Sequence, residues 1–274
     1  MRDQKNQGTG RKPDAITRLT RTQMHDLCRR IHTAVNGDLP AARSRRPGLR
    51  QSVRLVLASP RHNLEQEFLA ELSGVSQPTV SRVLSAWTPL IAGVLEDNVP
   101  TADGLDPGAQ PIIDGTLVPC WAWRDKPELH PGKHHTTGMN LQVACTPTGR
   151  LAWASDPVPG RIHDARALTE SGLLDNNNDP SNDDPTRHPP TRHIADKRYV
   201  GLGLITPAPK LPGLPLSEAD KNVNRAIDQI RWRIEQVIAN LKTWHTLKTG
   251  YRRPTNTLPD TITATLGTIS AYTP

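Results

Sequence analysis

The sequence predicts an α/β fold in two parts, an all-α N-terminal unit followed by a mixed sheet with flanking helices. Three observations carry that prediction. From Ser217 to Trp244 there is no Pro or Gly, and Ile227, Ile230, Ile234, Val237, Ile238 and Leu241 recur at helical spacing, so one face of a long helix is buried. Short β-branched or apolar runs bounded by Gly and Pro recur between residues 111 and 206. Upstream of residue 98 the apolar residues instead follow helical periods. At 274 residues the chain can bury one substantial core plus a smaller module.

Residues 1–15 read as a disordered basic arm, polar and Gly-containing. Thr17 to Val35 is an amphipathic helix through Leu19, Met24, Leu27, Cys28, Ile31 and Val35. A basic turn from Arg43 to Arg50 then leads into a short apolar helix around Val53 to Leu57. Residues 1–97 hold 15 Lys/Arg against 9 Asp/Glu, and residues 98–274 hold 19 against 18, so nearly all of the formal +7 is N-terminal. That asymmetry fits a nucleic-acid footprint, with a solvated arm as the bland alternative.

Within a helical unit over residues 16–97, Gln66 to Leu84 carries a helix-turn-helix pattern. Ala70 is small where two helices cross, Gly74 takes the positive φ of the turn, and Val80 and Val83 face the core. Ser76 is placed to cap the second helix, and Pro78 is tolerated in its first turn. Gln77, Thr79, Ser81, Arg82 and Ser85 are then expected outward, available to bases or phosphates. The competing reading is a helical hairpin with no nucleic-acid role.

Asn98 to Pro111 reads as a linker. The second unit, 112–253, opens with a strand from Pro111 to Pro119 interrupted at Asp114-Gly115. Asn140 to Cys145 and Arg150 to Ala154 form a hairpin pair. Ala165 to Leu174 is a helix with Asp164 near its N-terminus, where a carboxylate accepts orphan backbone N–H groups. Residues 175–190 are a surface insertion of low complexity. A fourth strand from Arg192 to Asp196, a fifth at Leu204 to Thr206 and the long helix follow, leaving 254–274 as a tail or short helix. The order β-β-β-α-β-(β)-α matches a ribonuclease-H-like sheet with flanking helices.

Cys28, Cys120 and Cys145 form no CxxC pair, which fits a reducing cytoplasm rather than a disulfide scaffold. No apolar run approaches the roughly 18 residues of a membrane span, so no membrane partner is expected. His134, His135, His163, His188 and His193 lack zinc-ligand spacing on any one element and are read as polar or phosphate-facing.

Asp114 and Asp196 close strand-like runs, and Glu235 lies on the long helix. If the first and fourth strands are neighbours, all three carboxylates can converge as oxygen ligands for a hard divalent ion. At about 100° per residue, Arg231 lies about 40° and Lys242 about 20° from Glu235, on a stripe beside the apolar face. Arg231 and Glu235 could also form an ordinary surface i,i+4 pair.

Ile112-Ile-Asp114-Gly-Thr116, Ile194-Ala-Asp196-Lys-Arg-Tyr199 and Arg231-x₃-Glu235-x₆-Lys242, in that order, resemble the DDE transposases of bacterial insertion sequences. The likeness points to the insertion-sequence-five group, related to Harbinger elements. Gly132-Lys133-His134, Met139 to Val143 and Pro159 to Asp164 add to it, and it covers roughly residues 45–253. The resemblance implies a transposase that binds terminal inverted repeats and performs metal-dependent strand cleavage and transfer. Asp114, Asp196 and Glu235 would be its catalytic and metal-binding triad, with two Mg²⁺ or Mn²⁺ ions. Arg231, Lys242, Lys133, His134 and Asp164 would support the site or bind phosphate. Its partners would be double-stranded DNA and further copies of the chain, in the bacterial cytoplasm at the nucleoid. Two positions depart from the family: Arg198 stands where Gly is usual, and Asp228 where Tyr is usual. An alternative outcome is a domesticated DNA-binding regulator that no longer cuts.

Overall fold

The structure, a computed structural model, describes residues 12–40, 47–105, 110–121, 127–129, 137–174, 193–210 and 213–273. The expectations placed on the extreme N-terminus, Arg43 to Arg46, Lys133, His134, His135, His188 and the 175–190 insertion lie outside these residues.

Helix α1 (Arg21–Ala34) begins in a capping box, with Thr20 Oγ1 accepting from the Gln23 N–H and Gln23 Oε1 accepting from the Thr20 N–H. It buries Met24, Leu27 and Ile31. Helix α2 (Leu49–His62) extends well beyond the short apolar segment expected around Val53. Helix α3 (Gln66–Ser73) ends at Gly74 with φ 63°, a left-handed stop whose N–H bonds back to Ala70 and Glu71 carbonyls. Helix α4 (Gln77–Leu95) starts three residues later with Pro78 in its first turn, and Ala70, Val80 and Val83 are buried as expected.

The sheet has the order β3 (Leu151–Ala154), β2 (Gly138–Cys145), β1 (Ile112–Pro119), β5 (Ile194–Ala195), with β4 (Val158–Pro159) paired to β2. Strand β1 (Ile112–Pro119) runs uninterrupted through Asp114-Gly115, because all eight residues pair antiparallel with β2 (Gly138–Cys145). Strand β3 (Leu151–Ala154) forms the hairpin, and β4 (Val158–Pro159) is a two-residue addition. Strand β5 (Ile194–Ala195) lies parallel to β1, Ile112 beside Ile194 and Ile113 beside Ala195. The expected fifth strand is a single bridge between Ile194 and Ile205.

Alternation along the strands divides the core. Ile112, Leu141, Val143 and Ile194 pack with Ile227, Ile234, Val237 and Leu241 of α6 (Glu218–Leu241). Ile113, Ala144, Ala195 and Tyr199 pack with Leu168 of α5 (Asp164–Glu170). Both faces are covered, which is why these runs read as continuously apolar. The result is a mixed α/β sheet with flanking helices, compatible with a ribonuclease-H-like fold.

The helical and sheet parts share one hydrophobic cluster. Short helix α7 (Thr246–Thr249) is tied to the end of α2, with the His245 N–H donating to the Arg61 carbonyl and Asn63 Nδ2 donating to Thr249 Oγ1 and the Gly250 carbonyl. Residues 254–274 hold α8 (Leu258–Tyr272), whose Leu258, Ile262 and Leu266 are buried in that cluster beside α4. No helix among the described residues is long and apolar enough to cross a membrane.

Candidate active site

Parallel pairing of β1 with β5 sets Asp114 and Asp196 side by side, each one residue beyond a paired position. Asp114 therefore lies inside the eight-residue β1 rather than at its end, but still opposite the end of β5. Both follow their α6-facing neighbours Ile112 and Ile194 by two residues, so both side chains start on the α6 face. Gly115 points the other way. A Cβ there would collide with the Asp164 carboxylate and lie 2.8 Å from Gln142 Nε2, so the missing side chain admits Asp164 to the strand.

Asp164 was expected to cap α5. His163 instead holds the N-cap position, with no side-chain bond to the helix. The Asp164 carboxylate turns inward, where Oδ1 accepts from Asn140 Nδ2 at 2.9 Å and more loosely from Gln142 Nε2 at 3.4 Å. Tyr199 donates its hydroxyl to Gln142 Oε1 at 2.6 Å. Asn140 and Gln142 are thus site residues that the sequence reading did not single out. Two long polar residues at i and i+2 in a buried strand were the available signal, since buried polar groups demand partners.

Arg198 joins the three aspartates. Its NH2 meets Asp114 Oδ1 at 2.8 Å, its NH1 meets Asp164 Oδ2 at 2.6 Å and its Nε meets Asp196 Oδ2 at 3.0 Å. It sits in a 3-10 turn, Lys197–Tyr199, outside the positive-φ region, so replacing Gly there strains nothing in the backbone. Arg231 approaches from α6, 3.6 Å from Asp114 Oδ2 and 3.7 Å from Asp196 Oδ1. It also passes 3.9 Å from exposed Asp228. Its partners are thus the sheet aspartates and Asp228, and it makes no surface pair with Glu235.

Burial pushes the Asp114 carboxyl above its ordinary range, only partly offset by Arg198, Arg231 and the Gly115 N–H. Burial also acts on Asp196, but there the Lys197 N–H, Arg231 and Arg198 outweigh it and the pKa is lowered. Lys242, at the C-cap of α6, is lowered by its own burial and by Lys248, while Asp114 pulls it upward.

Glu235 is exposed and its side chain takes part in no hydrogen bond or ion pair among the described residues. It lies one turn, about 6 Å along α6, beyond Arg231. The fold therefore brings together Asp114, Asp164, Asp196, Arg198 and Arg231, and leaves Glu235 outside that cluster. The donor set is all oxygen, which suits Mg²⁺ or Mn²⁺ in kind. As the side chains stand, no three His, Cys, Asp or Glu among the described residues are disposed to hold a metal ion.

Of the outward positions expected on α4, Gln77, Arg82 and Ser85 are exposed and Ser81 is half-buried. Thr79 is a correction: it lies one residue before Val80 and four before Val83, shares their face and is buried. Ser76 makes no side-chain cap, and its hydroxyl pairs with Thr79 Oγ1 at 3.0 Å. His193 is also corrected. It is buried, with neither ring nitrogen hydrogen-bonded among the described residues, and burial lowers its pKa, so it faces no phosphate.

A family model described as DDE superfamily endonuclease matches residues 113–268, a span holding Asp114, Asp164, Asp196, Glu235 and most of α8. Over 196 residues the chain is 30% identical to a protein assigned as the transposase of insertion sequence element IS112 in Streptomyces albus G, covering 71% of this chain and 69% of that protein. No solved structure matches significantly.

Proposed function

Since the chain belongs to the DDE superfamily endonucleases, we propose that it is a transposase of a bacterial insertion sequence, of the insertion-sequence-five and Harbinger-like group, cutting and joining DNA at the element's terminal inverted repeats. The observation that carries this reading is the parallel β1–β5 pairing, which aligns Asp114 with Asp196 beneath α6. Glu235, exposed on the α6 stripe that also carries Arg231, is the third member of the proposed triad. Bound Mg²⁺ or Mn²⁺ would be held by Asp114, Asp196 and Glu235, polarising the scissile phosphate and activating the attacking hydroxyl.

The chain's own residues have separate tasks. Arg231 orients Asp114 and Asp196, and Lys242 offers a half-buried ammonium to backbone phosphate. Asn140 and Gln142 fix Asp164, which is linked to the two aspartates through their shared partner Arg198. Helices α3 and α4 act as a helix-turn-helix that reads the repeats through Gln77, Arg82 and Ser85, and the basic N-terminal segment adds phosphate contacts. Two ends must be paired for joining, so the chain assembles with further copies on DNA.

Mg²⁺-dependent cleavage of DNA carrying the element ends is expected for the wild type, and is expected to vanish in Asp114→Asn and Glu235→Gln. Cleavage surviving in both variants would overturn the assignment. A second reading, a DNA-binding regulator that does not cut, is favoured by one observation: both sheet aspartates are engaged by arginine while Glu235 stands apart. It expects sequence-specific binding with no nicking.

A further inference from the structure

Arg198 uses all three of its nitrogens on three different carboxylates, at 2.6–3.0 Å. The remaining carboxylate oxygens of those residues are also committed. Asp114 Oδ2 faces Arg231, Asp196 Oδ1 accepts from the Lys197 N–H at 2.6 Å and Asp164 Oδ1 accepts from Asn140. A hard divalent ion needs several of these oxygens as ligands at once. It cannot take Asp114 and Asp196 together while the guanidinium lies between them. The two cations compete for one set of donors.

We propose that Arg198 is a tethered internal cation that occupies the cation position of the acid cluster, and that a divalent ion binds only by displacing it. The inference rests on the reading of Asp114 and Asp196 as ion ligands. The guanidinium is suited to the role in three ways. It is permanently charged, and its partly buried pairing with Asp164, Asp114 and Asp196 holds it so. Its side chain is 43% exposed, so it has a path outward into solvent. Its backbone is in a relaxed 3-10 turn, so the exchange requires rotation of the side chain and no refolding. Arg198 therefore sets the ion affinity of the site. A chain with a small neutral residue there would bind the same ion more tightly and be less stable without it, because three carboxylates would lose their shared counter-charge.

The test is Mn²⁺ binding to the full-length, metal-stripped protein by titration calorimetry, with Arg198→Gln and Arg198→Ala beside the wild type and near-UV dichroism to verify the fold. Both variants are expected to bind Mn²⁺ about tenfold more tightly or better. Their thermal midpoints in chelator should fall below the wild type and rise more on adding Mn²⁺. Asp114→Asn introduced into the Arg198→Gln protein should remove the binding. Equal or weaker Mn²⁺ affinity in both variants, with binding still lost on Asp114→Asn, would overturn the competition and leave the ion site standing. Absence of Mn²⁺ binding in every protein, with the fold intact, would overturn both the competition and the ion-binding role of Asp114 and Asp196.

Discussion

Gly115 works by what it lacks. It lies in an extended strand outside the positive-φ region, so its value is space: Asp164 and Gln142 occupy the volume a Cβ would take. Gly115→Ala is expected to destabilise the protein by about 1–3 kcal/mol through overpacking. Denaturant unfolding measures this directly, and Asp164→Ala in the same chain should recover part of the loss by vacating the space. An unchanged midpoint in Gly115→Ala would show that the β1–α5 approach is looser than described. Asp114, Asp196 and Arg231 could be marked from residue type and spacing. The arrangement of Arg198 could not, since nothing local tells a guanidinium at position 198 which of several distant carboxylates it will meet.

Among the elements, α8 makes the segment read as a tail or short helix into part of the core. Its last residue, Tyr272, donates its hydroxyl to Asp26 Oδ2 of α1 at 2.8 Å, and Gln23 Nε2 donates to the Tyr272 carbonyl at 2.7 Å. The Arg29 bond and then the Tyr272 bond hold the Asp26 carboxyl below its ordinary range. A lowered acid pKa contributes stability that is complete above the unfolded value near 3.8 and is lost as the pH falls through the folded value. Tyr272→Phe should thus cost about 1 kcal/mol or less at pH 7, given the part-buried setting. That difference should shrink as thermal unfolding is repeated from pH 5 down to pH 2. A cost that stays constant across the range would locate the effect in packing rather than in the Asp26 bond. Helices α1, α4 and α6 were legible from periodicity. The capping box of α1 was also written in Thr20 and Gln23, but the docking of α8 depends on contacts some 250 residues apart.

Across the whole molecule, charge and core are distributed differently. Nearly all the excess of Lys and Arg lies in residues 1–97, whereas the buried cluster runs from α1 through the sheet to α8. DNA binding through α4 should therefore show a strong salt dependence. Arg82→Ala is expected to weaken binding and lower the slope of log K against log salt by about 1. Fluorescence anisotropy at several salt concentrations reads both, and no change in either would remove α4 from the interface. The shared core also means that the helical and sheet parts are joined by packing at α2–α7 and α4–α8, which a linear division at residue 111 does not express. The sequence by itself determined most of the elements, the α/β class, the basic N-terminal half and the acidic residues worth watching, because periodicity, turn chemistry and charge are local properties of the chain. Only the tertiary structure decided that Asp164 and Arg198 enter the acid cluster and that Glu235 stays exposed outside it. Those positions follow from strand register, a missing Cβ at residue 115 and competition among distant charges for the same partners.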